Sequence, residues 1–374
     1  MALDGGAMLL LARGAVSADG RGMTVHAWDA DSGTTARMYK GQAVARHALW
    51  AGSRGMCAAQ QDKGAIVFWG WQQETPMMKM PLPERATAVI CSQKYDLCIT
   101  GTASGAIYVW QMCTGSLVQH LSHAHFRAIT GLALTGDELS LISISDDAAA
   151  RVWSLAHLVF GFSQQLSGEV RPRHVFSHHT LPVTDLAVSA APSSVASPNL
   201  ILLCLCHPGA QLYHLGLGQR LACITFADDL TSVALDPAEQ YLYVASSTGR
   251  VYQVSLHDEV LEQASGLISQ SQCARRVQAH ERPITCVAVV SNGARLVTTD
   301  DAGCVRLWDT GSMQVVKTLE EGTSLAALLV SPSQWLEPAV ANPALQLKLF
   351  QRTRQEDQES DDRLRVVIAP TQEP

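Results

Sequence analysis

The chain has 374 residues, 47% of them apolar, and a formal charge of −7. That is enough apolar material for a large core, and a negative chain lacks the general basic field that drives sequence-independent nucleic-acid binding. The ten cysteines are scattered without CxxC spacing, which argues against a disulfide scaffold and points to a reducing compartment.

The N-terminal stretch MALDGGAMLLLARGAV is briefly apolar, with Asp4 and no basic residue ahead of it. A secretory signal needs a basic flank, and a membrane helix needs about 20 apolar residues. A soluble intracellular protein is therefore expected. AMLLLARGA, GMTVHAWD and TARMYKG read as three strands separated by turn residues. The second of them ends on Trp28, the first member of a series.

Aromatic-ended strands recur at Trp69 (IVFWGW), Trp110 (IYVWQMCTG), Trp153 (ARVWSL) and Trp308 (VRLWDTGS). Two degenerate copies fit between them, AQLYHLGLG with Tyr213 and GRVYQVSL with Val254. The successive gaps are 41, 41, 43, 60, 41 and 54 residues, mostly the 40 to 45 of one propeller blade. Gly64, Gly105, Gly249 and Gly303 each stand five residues before a marker, where a tight turn between antiparallel strands is expected. His125, His179 and His280 each stand four residues before the β-branched start of an apolar strand. The segment RPRHVFSHHTLPVTDLAV, from Arg171 to Val188, is thus one copy of a repeated joint.

Each unit reads as four short strands. One such sheet cannot bury both faces alone, whereas sheets arranged around an axis bury their faces against each other. Longer gaps reflect insertions: HLVFGFSQQLSGEV and APSSVASPN in the fifth unit, and HDEVLEQASGLISQSQC in the sixth, all expected as loops. After Trp308, MQVVKTLE supplies an outer strand and SLAALLVSP is left over. This last strand is expected to complete the first blade and join the chain ends. Residues 1–350 are assigned to the propeller. Residues 351–374, with five acids between Glu356 and Asp362, are assigned to an acidic, disordered tail.

On this recurrence the chain, over roughly residues 7–350, resembles the WD-repeat β-propellers. The resemblance implies an all-β, seven-bladed fold. It also implies a buried relay in which a Trp indole N–H, a Ser or Thr hydroxyl, a His and an Asp satisfy one another. In the fourth unit these are Trp153, Ser145, His125 and Asp147, with Ser143 competing for the hydroxyl role. Read without the repeat, the same Ser, His and Asp would suggest a hydrolase triad; the repeat assigns them to structure. Six residues before the other markers stand Gly22, Lys63, Ser104, His207, Thr248 and Ala302, so a single intact relay is expected. Asp62 and Asp301 are the neighbouring acids, left open as substitutes with shifted geometry.

Other constellations carry little chemistry. His174, His178 and His179 have no nearby Cys or carboxylate to complete a metal set, and Cys204, Cys206 and His207 suit core packing as well as ligation. GLGQRL around Gly216 lacks the third glycine and the following helix of a dinucleotide loop. No catalytic residue, metal or cofactor is expected.

RPRHVFSHHTLPVTDLAV and FADDLTSVALDPAEQYLYVASSTGRVYQVSL are similar to the fifth and sixth units of the WD-repeat protein 18 family. That similarity implies a non-catalytic scaffold subunit of the nuclear Rix-type complex, which processes pre-rRNA and matures the large ribosomal subunit. The implied partners are a helical-repeat protein and the pre-ribosome, with indirect RNA contact, no membrane contact, and a link to initiation of DNA replication. Arg171, Arg173 and His178 are the candidate partner-binding residues, because they lie on an outer strand and its exit. The rival reading is a substrate receptor of a cullin-type ubiquitin ligase. Those usually carry Trp-Asp-x-x-Arg, where this chain has Ser32 and Ser312.

Overall fold

The computed structural model describes residues 7–350 except 14–22, 31, 42–43, 61–62, 161–169, 190–199, 206–208, 257–266, 270–272, 274, 291–292, 321–324 and 337–346. The expected acidic tail at 351–374 and the Ser/Pro-rich insertion at 191–199 lie outside the described residues.

β-Branched and aromatic runs punctuated by Gly, Asp and Ser turns fold as short antiparallel strands. The first sheet contains β1 (Ala7–Arg13), β2 (Met23–Asp29) and β3 (Thr35–Lys40). The second is β4 (Val44–Gly52), β5 (Gly55–Gln60), β6 (Ala65–Trp69) and β7 (Met78–Pro81). The third is β8 (Ala86–Ser92), β9 (Leu97–Thr102), β10 (Ile107–Gln111) and β11 (Leu117–Leu121). The fourth is β12 (Ile129–Leu134), β13 (Ser140–Ser145), β14 (Ala150–Ser154) and β15 (His174–Phe176).

The fifth sheet is built from β16 (Val183–Val188), β17 (Leu200–Leu205), β18 (Gly209–His214) and β19 (Gln219–Thr225). The sixth is β20 (Leu230–Leu235), β21 (Tyr241–Ser246) and β22 (Arg250–Ser255), with β24 (Arg275–Gln278) on its edge. Between the last two, β23 (Leu267–Ser269) leaves its own unit and pairs in parallel with β19. The insertion expected as a loop therefore adds a fifth strand to the preceding sheet. The last sheet is β25 (Ile284–Val290), β26 (Arg295–Asp300), β27 (Cys304–Asp309) and β28 (Gln314–Glu320). Finally β29 (Leu325–Pro332) pairs antiparallel with β1, from Ala7 opposite Pro332 to Arg13 opposite Leu325.

The markers occupy one register. Trp69 lies opposite Met56, Trp110 opposite Cys98, Trp153 opposite Leu141, Val254 opposite Leu242 and Trp308 opposite Leu296. The strands around them are covered on both faces: every residue of β5, β6, β9, β10 and β13 is buried. Outer strands alternate with water, as β7 and β28 do. A second departure from the expected loops is α1 (Leu155–Phe160), which follows β14 directly. Leu155 and Leu158 belong to the core cluster around Ile99 and Ile107 of the third sheet, so burial of these two leucines accounts for a helical turn there.

The innermost strands are joined sideways by side chains. Thr87 on β8 donates to the Ile129 carbonyl (2.5 Å), and Thr130 on β12 donates to the Val183 carbonyl (2.6 Å). Ser232 on β20 donates to Asp185 on β16 (2.7 Å) and accepts from the Val287 N–H on β25 (3.2 Å). Each of these hydroxyls satisfies a group on a strand of another sheet, which a ladder bond within one sheet cannot do.

Beyond β29, the described residues on both sides of 337–346 lie against the second and third sheets, contacts for which the sequence offered no element. Trp335 packs on Trp71 at 5.5 Å between ring centroids. The Lys348 N–H donates to the Met112 carbonyl (3.1 Å). Phe350 then stacks on Trp110 at 4.9 Å and 3° and meets the edge of Phe68 at 6.2 Å. Phe350 is buried in the same core cluster as both, so Phe350→Ala removes an aromatic clasp rather than a terminal ornament. The expected cost is about 3–5 kcal/mol, read as a lowered thermal midpoint; an unchanged midpoint would refute the clasp.

Candidate functional site

The polar residues singled out from the sequence converge between the third, fourth and fifth sheets. Gly105 is at φ 88°, and an added Cβ would sit 2.3 Å from the His125 carbonyl. Its carbonyl accepts the His125 N–H at 2.9 Å, so the glycine turn of one sheet holds the histidine loop of the next. His125 is thereby presented to β13 and β14. The Trp153 indole N–H donates to Ser143 Oγ (2.9 Å), Ser143 Oγ lies 2.7 Å from His125 Nε2, and His125 Nδ1 lies 3.0 Å from Asp147 Oδ2.

The hydroxyl belongs to Ser143, which corrects the assignment to Ser145. Trp153 is opposite Leu141, so Ser143 is its diagonal neighbour on the same face, and Ser145 stands one step further along the strand. Ser145 Oγ instead donates to the Arg127 carbonyl (3.2 Å) and accepts the Asp147 N–H (3.1 Å).

A second complete relay stands in the last sheet, where the sequence reading expected none. The Trp308 indole N–H donates to Thr298 Oγ1 (2.9 Å), which lies 2.8 Å from His280 Nε2; His280 Nδ1 lies 3.2 Å from Asp300 Oδ2. Here too a glycine turn braces the histidine loop, the His280 N–H donating to the Gly249 carbonyl at 2.9 Å. The sequence held the signal in the hydroxyl ten residues before Trp and the His eighteen before the hydroxyl, spacings common to both relays. The acid hid it: Asp147 stands four residues after Ser143, whereas Asp300 stands two after Thr298. Asp301, the neighbouring acid, is instead exposed and 4.0 Å from Arg282; Asp62 is outside the described residues.

The fifth sheet uses a third arrangement. Tyr213 takes the marker position and brings its own hydroxyl, which donates to Gln211 Oε1 (2.5 Å) and lies 3.3 Å from His179 Nε2.

Electrostatics and access make these braces rather than reactive groups. Burial lowers His125 against the pull of Asp147, and burial lowers His280 against the pull of Asp300. Burial pushes the Asp147 carboxyl up, but the His125 hydrogen bond and charge and the Phe126 and Ala149 N–H groups outweigh it and hold it at about 2. A neutral imidazole then donates from Nδ1 to the carboxylate and accepts the hydroxyl proton at Nε2, and every donor has an acceptor. Ser143 has no exposed surface, so its oxygen cannot attack a substrate.

Metal ligation meets a similar obstacle. Among the described residues, the three potential ligands that come within 4.8 Å of one another are His280, Asp300 and Cys304. Two of them already hydrogen-bond each other, and burial raises the Cys304 thiol away from the thiolate a metal needs. His174, His178 and His179 form no such group, and Cys206 and His207 lie outside the described residues. Gly216 and Gly218 sit in the hairpin turn between β18 and β19.

One polar contact near the axis was not foreseen. In β4, Val44 pairs with Gln60 and Leu49 with Ala58, so four residues bulge out against one. At the bulge His47, at φ 56°, places Nδ1 3.7 Å from Asp185 Oδ1 on β16. The other carboxylate oxygen accepts from Ser232 Oγ and the Val233 N–H (2.9 Å). The acid sits between the serine and the histidine, the wrong order for a nucleophilic triad.

Arg171, Arg173 and His178 are exposed and flank β15. The Arg173 N–H donates to the Val152 carbonyl (2.6 Å), and the His178 carbonyl accepts from Gln211 (3.2 Å). The backbones of Arg173 and His178 are thereby held, while all three side chains face water.

The model of the WD domain, G-beta repeat, matches residues 271–309, which span β24 to β27 and contain the whole second relay. The protein is a WD-repeat β-propeller. This propeller is similar to WD repeat-containing protein 18 of Mus musculus, with 29% identity over 87% of this chain and 74% of that protein. It is also similar to Protein ROOT INITIATION DEFECTIVE 3 of Arabidopsis thaliana, 28% identical over 79% of this chain and 66% of that protein. Pre-rRNA-processing protein IPI3 of Yarrowia lipolytica is 27% identical over 83% of this chain and 74% of that protein.

Two outcomes follow from the propeller's relays. Thr298→Val strands the Trp308 N–H and His280, so it should destabilise by about 2 kcal/mol, and Ser143→Ala should cost more than Ser145→Ala. Chemical denaturation of the three variants checks both. The second concerns pH. His125, His179 and His280 all have lowered folded values, His179 to about 4 through burial and then the His178 charge. The unfolded chain therefore binds protons from about pH 6.5 that the folded chain refuses. Stability should be full above that pH and fall on acidification toward about 4; denaturant midpoints that stay level across that window contradict it.

Proposed function

We propose that this propeller is a non-catalytic scaffold subunit of a nuclear assembly that processes pre-rRNA and matures the large ribosomal subunit. The observation that carries the reading is similarity across 83% of the chain to a relative named for pre-rRNA processing. Similarity to WD repeat-containing protein 18 over 87% of the chain accords with it. The chemistry of the fold agrees, since the Ser, His and Asp that look reactive are consumed in internal hydrogen bonds.

In this reading the sheets are seven blades of one ring, with β29 joining the ends of the chain. Supporting this, β29 pairs with β1 and packs against both β4 and β25. A ring of this kind offers rigid faces and outer strands to several partners at once, here a helical-repeat subunit and the pre-ribosome. Arg171, Arg173 and His178 are the proposed contact on the fourth blade, because they are exposed cationic and aromatic groups and the held backbones of Arg173 and His178 lower the ordering cost of binding.

Affinity purification of the tagged chain, followed by identification of bound protein and RNA, tests the reading. Large-subunit precursors carrying the second internal transcribed spacer should co-purify. Changing Arg171, Arg173 and His178 together should release them at an unchanged thermal midpoint. Retention by the triple variant would remove the proposed contact, and absence of precursors from the parent chain would remove the function.

A further inference from the structure

Phe126 is 84% exposed, the highest value among the large apolar side chains of the described residues. Its backbone is nevertheless fixed, because its N–H donates to Asp147 Oδ2 (3.1 Å) at the end of the first relay. The ring meets the Arg151 guanidinium, 5.7 Å from its centroid, and Arg151 is itself oriented by donating to the Ala124 carbonyl. Water is left against most of an aromatic ring that the fold holds in place, which suits a contact residue and not a core residue.

Arg151 continues this surface outward. It stands opposite Val175 on β15, so the two side chains share one face of the fourth sheet. Val175 is 49% exposed, on an outer strand that carries no further strand on its edge among the described residues. Arg173, two residues earlier and held by the Val152 carbonyl, extends the row. Apolar and cationic groups therefore alternate from Phe126 through Arg151 and Val175 to Arg173. Among the described residues, no carboxylate lies within ion-pair distance of Arg151 or Arg173.

We propose that this row receives an extended segment of a partner polypeptide in which acidic and apolar side chains alternate along one face. Its carboxylates pair with Arg151 and Arg173, and its apolar side chains cover Phe126 and Val175. The spacing fits, since neighbours lie about 5 Å apart across a strand pair and about 7 Å apart along one face of an extended chain. RNA suits the row less well: phosphates would answer the arginines, but nothing in them covers Val175, and the net charge of −7 opposes their approach. The chain's own acidic stretch between Glu356 and Asp362 has no apolar residue to offer. The inference rests on the contact proposed above at Arg173 and names the chemistry of its partner, whatever the assembly.

A peptide array probed with the labelled full chain tests it. The probes carry Ser at every second position and alternate Glu with Leu, Ile or Phe at the others. Controls replace Glu by Gln, or the apolar residues by Ser, and decauridine and a synthetic peptide of residues 351–374 are titrated beside them. Acidic–apolar probes should bind with a dissociation constant of about 100 µM or tighter, at least about tenfold tighter than every control. Phe126→Ala, Val175→Ser and Arg173→Glu should each weaken binding about fivefold or more at an unchanged thermal midpoint. Val316→Ser, an exposed change on β28, should leave it as it was. Equal binding of the Gln probes, tighter binding of decauridine or of the 351–374 peptide, or undiminished affinity in the three variants overturns the inference. Probe binding by the purified chain is independent of whether ribosomal precursors co-purify, so either reading can fail alone.

Discussion

Stacking one twisted sheet on the next buries large aromatic side chains, and with the indole of Trp153 or Trp308 it buries an N–H that water cannot reach. An unanswered donor there costs on the order of 1–3 kcal/mol, a large part of a protein's net stability. Everything around the two relays follows from meeting that demand. The hydroxyls of Ser143 and Thr298 meet the indoles, His125 and His280 meet the hydroxyls, and Asp147 and Asp300 fix the tautomers. Because each histidine loop is also bonded to a glycine turn of the preceding sheet, the hydrogen bonds set how neighbouring sheets sit as well as how each is filled.

Where the relay is absent, other contacts take its place. Trp110 has Phe350 stacked on it, and Tyr213 brings its own hydroxyl to His179. Near the axis the same problem is solved sideways: Thr87, Thr130 and Ser232 carry hydrogen bonds from one inner strand to another. Sheets braced in this manner leave outer strands such as β7 and β28 largely facing water. Partner-binding residues are expected on such elements, since loops on a rigid scaffold tolerate change that buried strands do not.

The same logic separates structural braces from reactive groups. Ser143, His125 and Asp147 resemble catalytic machinery but are mutually satisfied, with Ser143 and His125 closed to solvent. Hydrogen-bond accounting, more than residue type, distinguishes a brace from a site.

The sequence by itself determined the period, the strand-end position of the aromatic markers and the structural role of His125, Asp147 and Trp153. These are local properties, since side chains alternate along a strand and turns demand particular residues. Tertiary structure alone decided that Ser143 and not Ser145 meets the indole, that Asp300 serves two residues from Thr298, and that β23 joins a sheet other than its own. It also decided the helical turn after Trp153, the return of Phe350 to Trp110, and the reach of His47 to Asp185. Each of these depends on how closely residues distant in sequence, or equivalent in pattern, approach through space, and spacing along the chain carries no record of that distance.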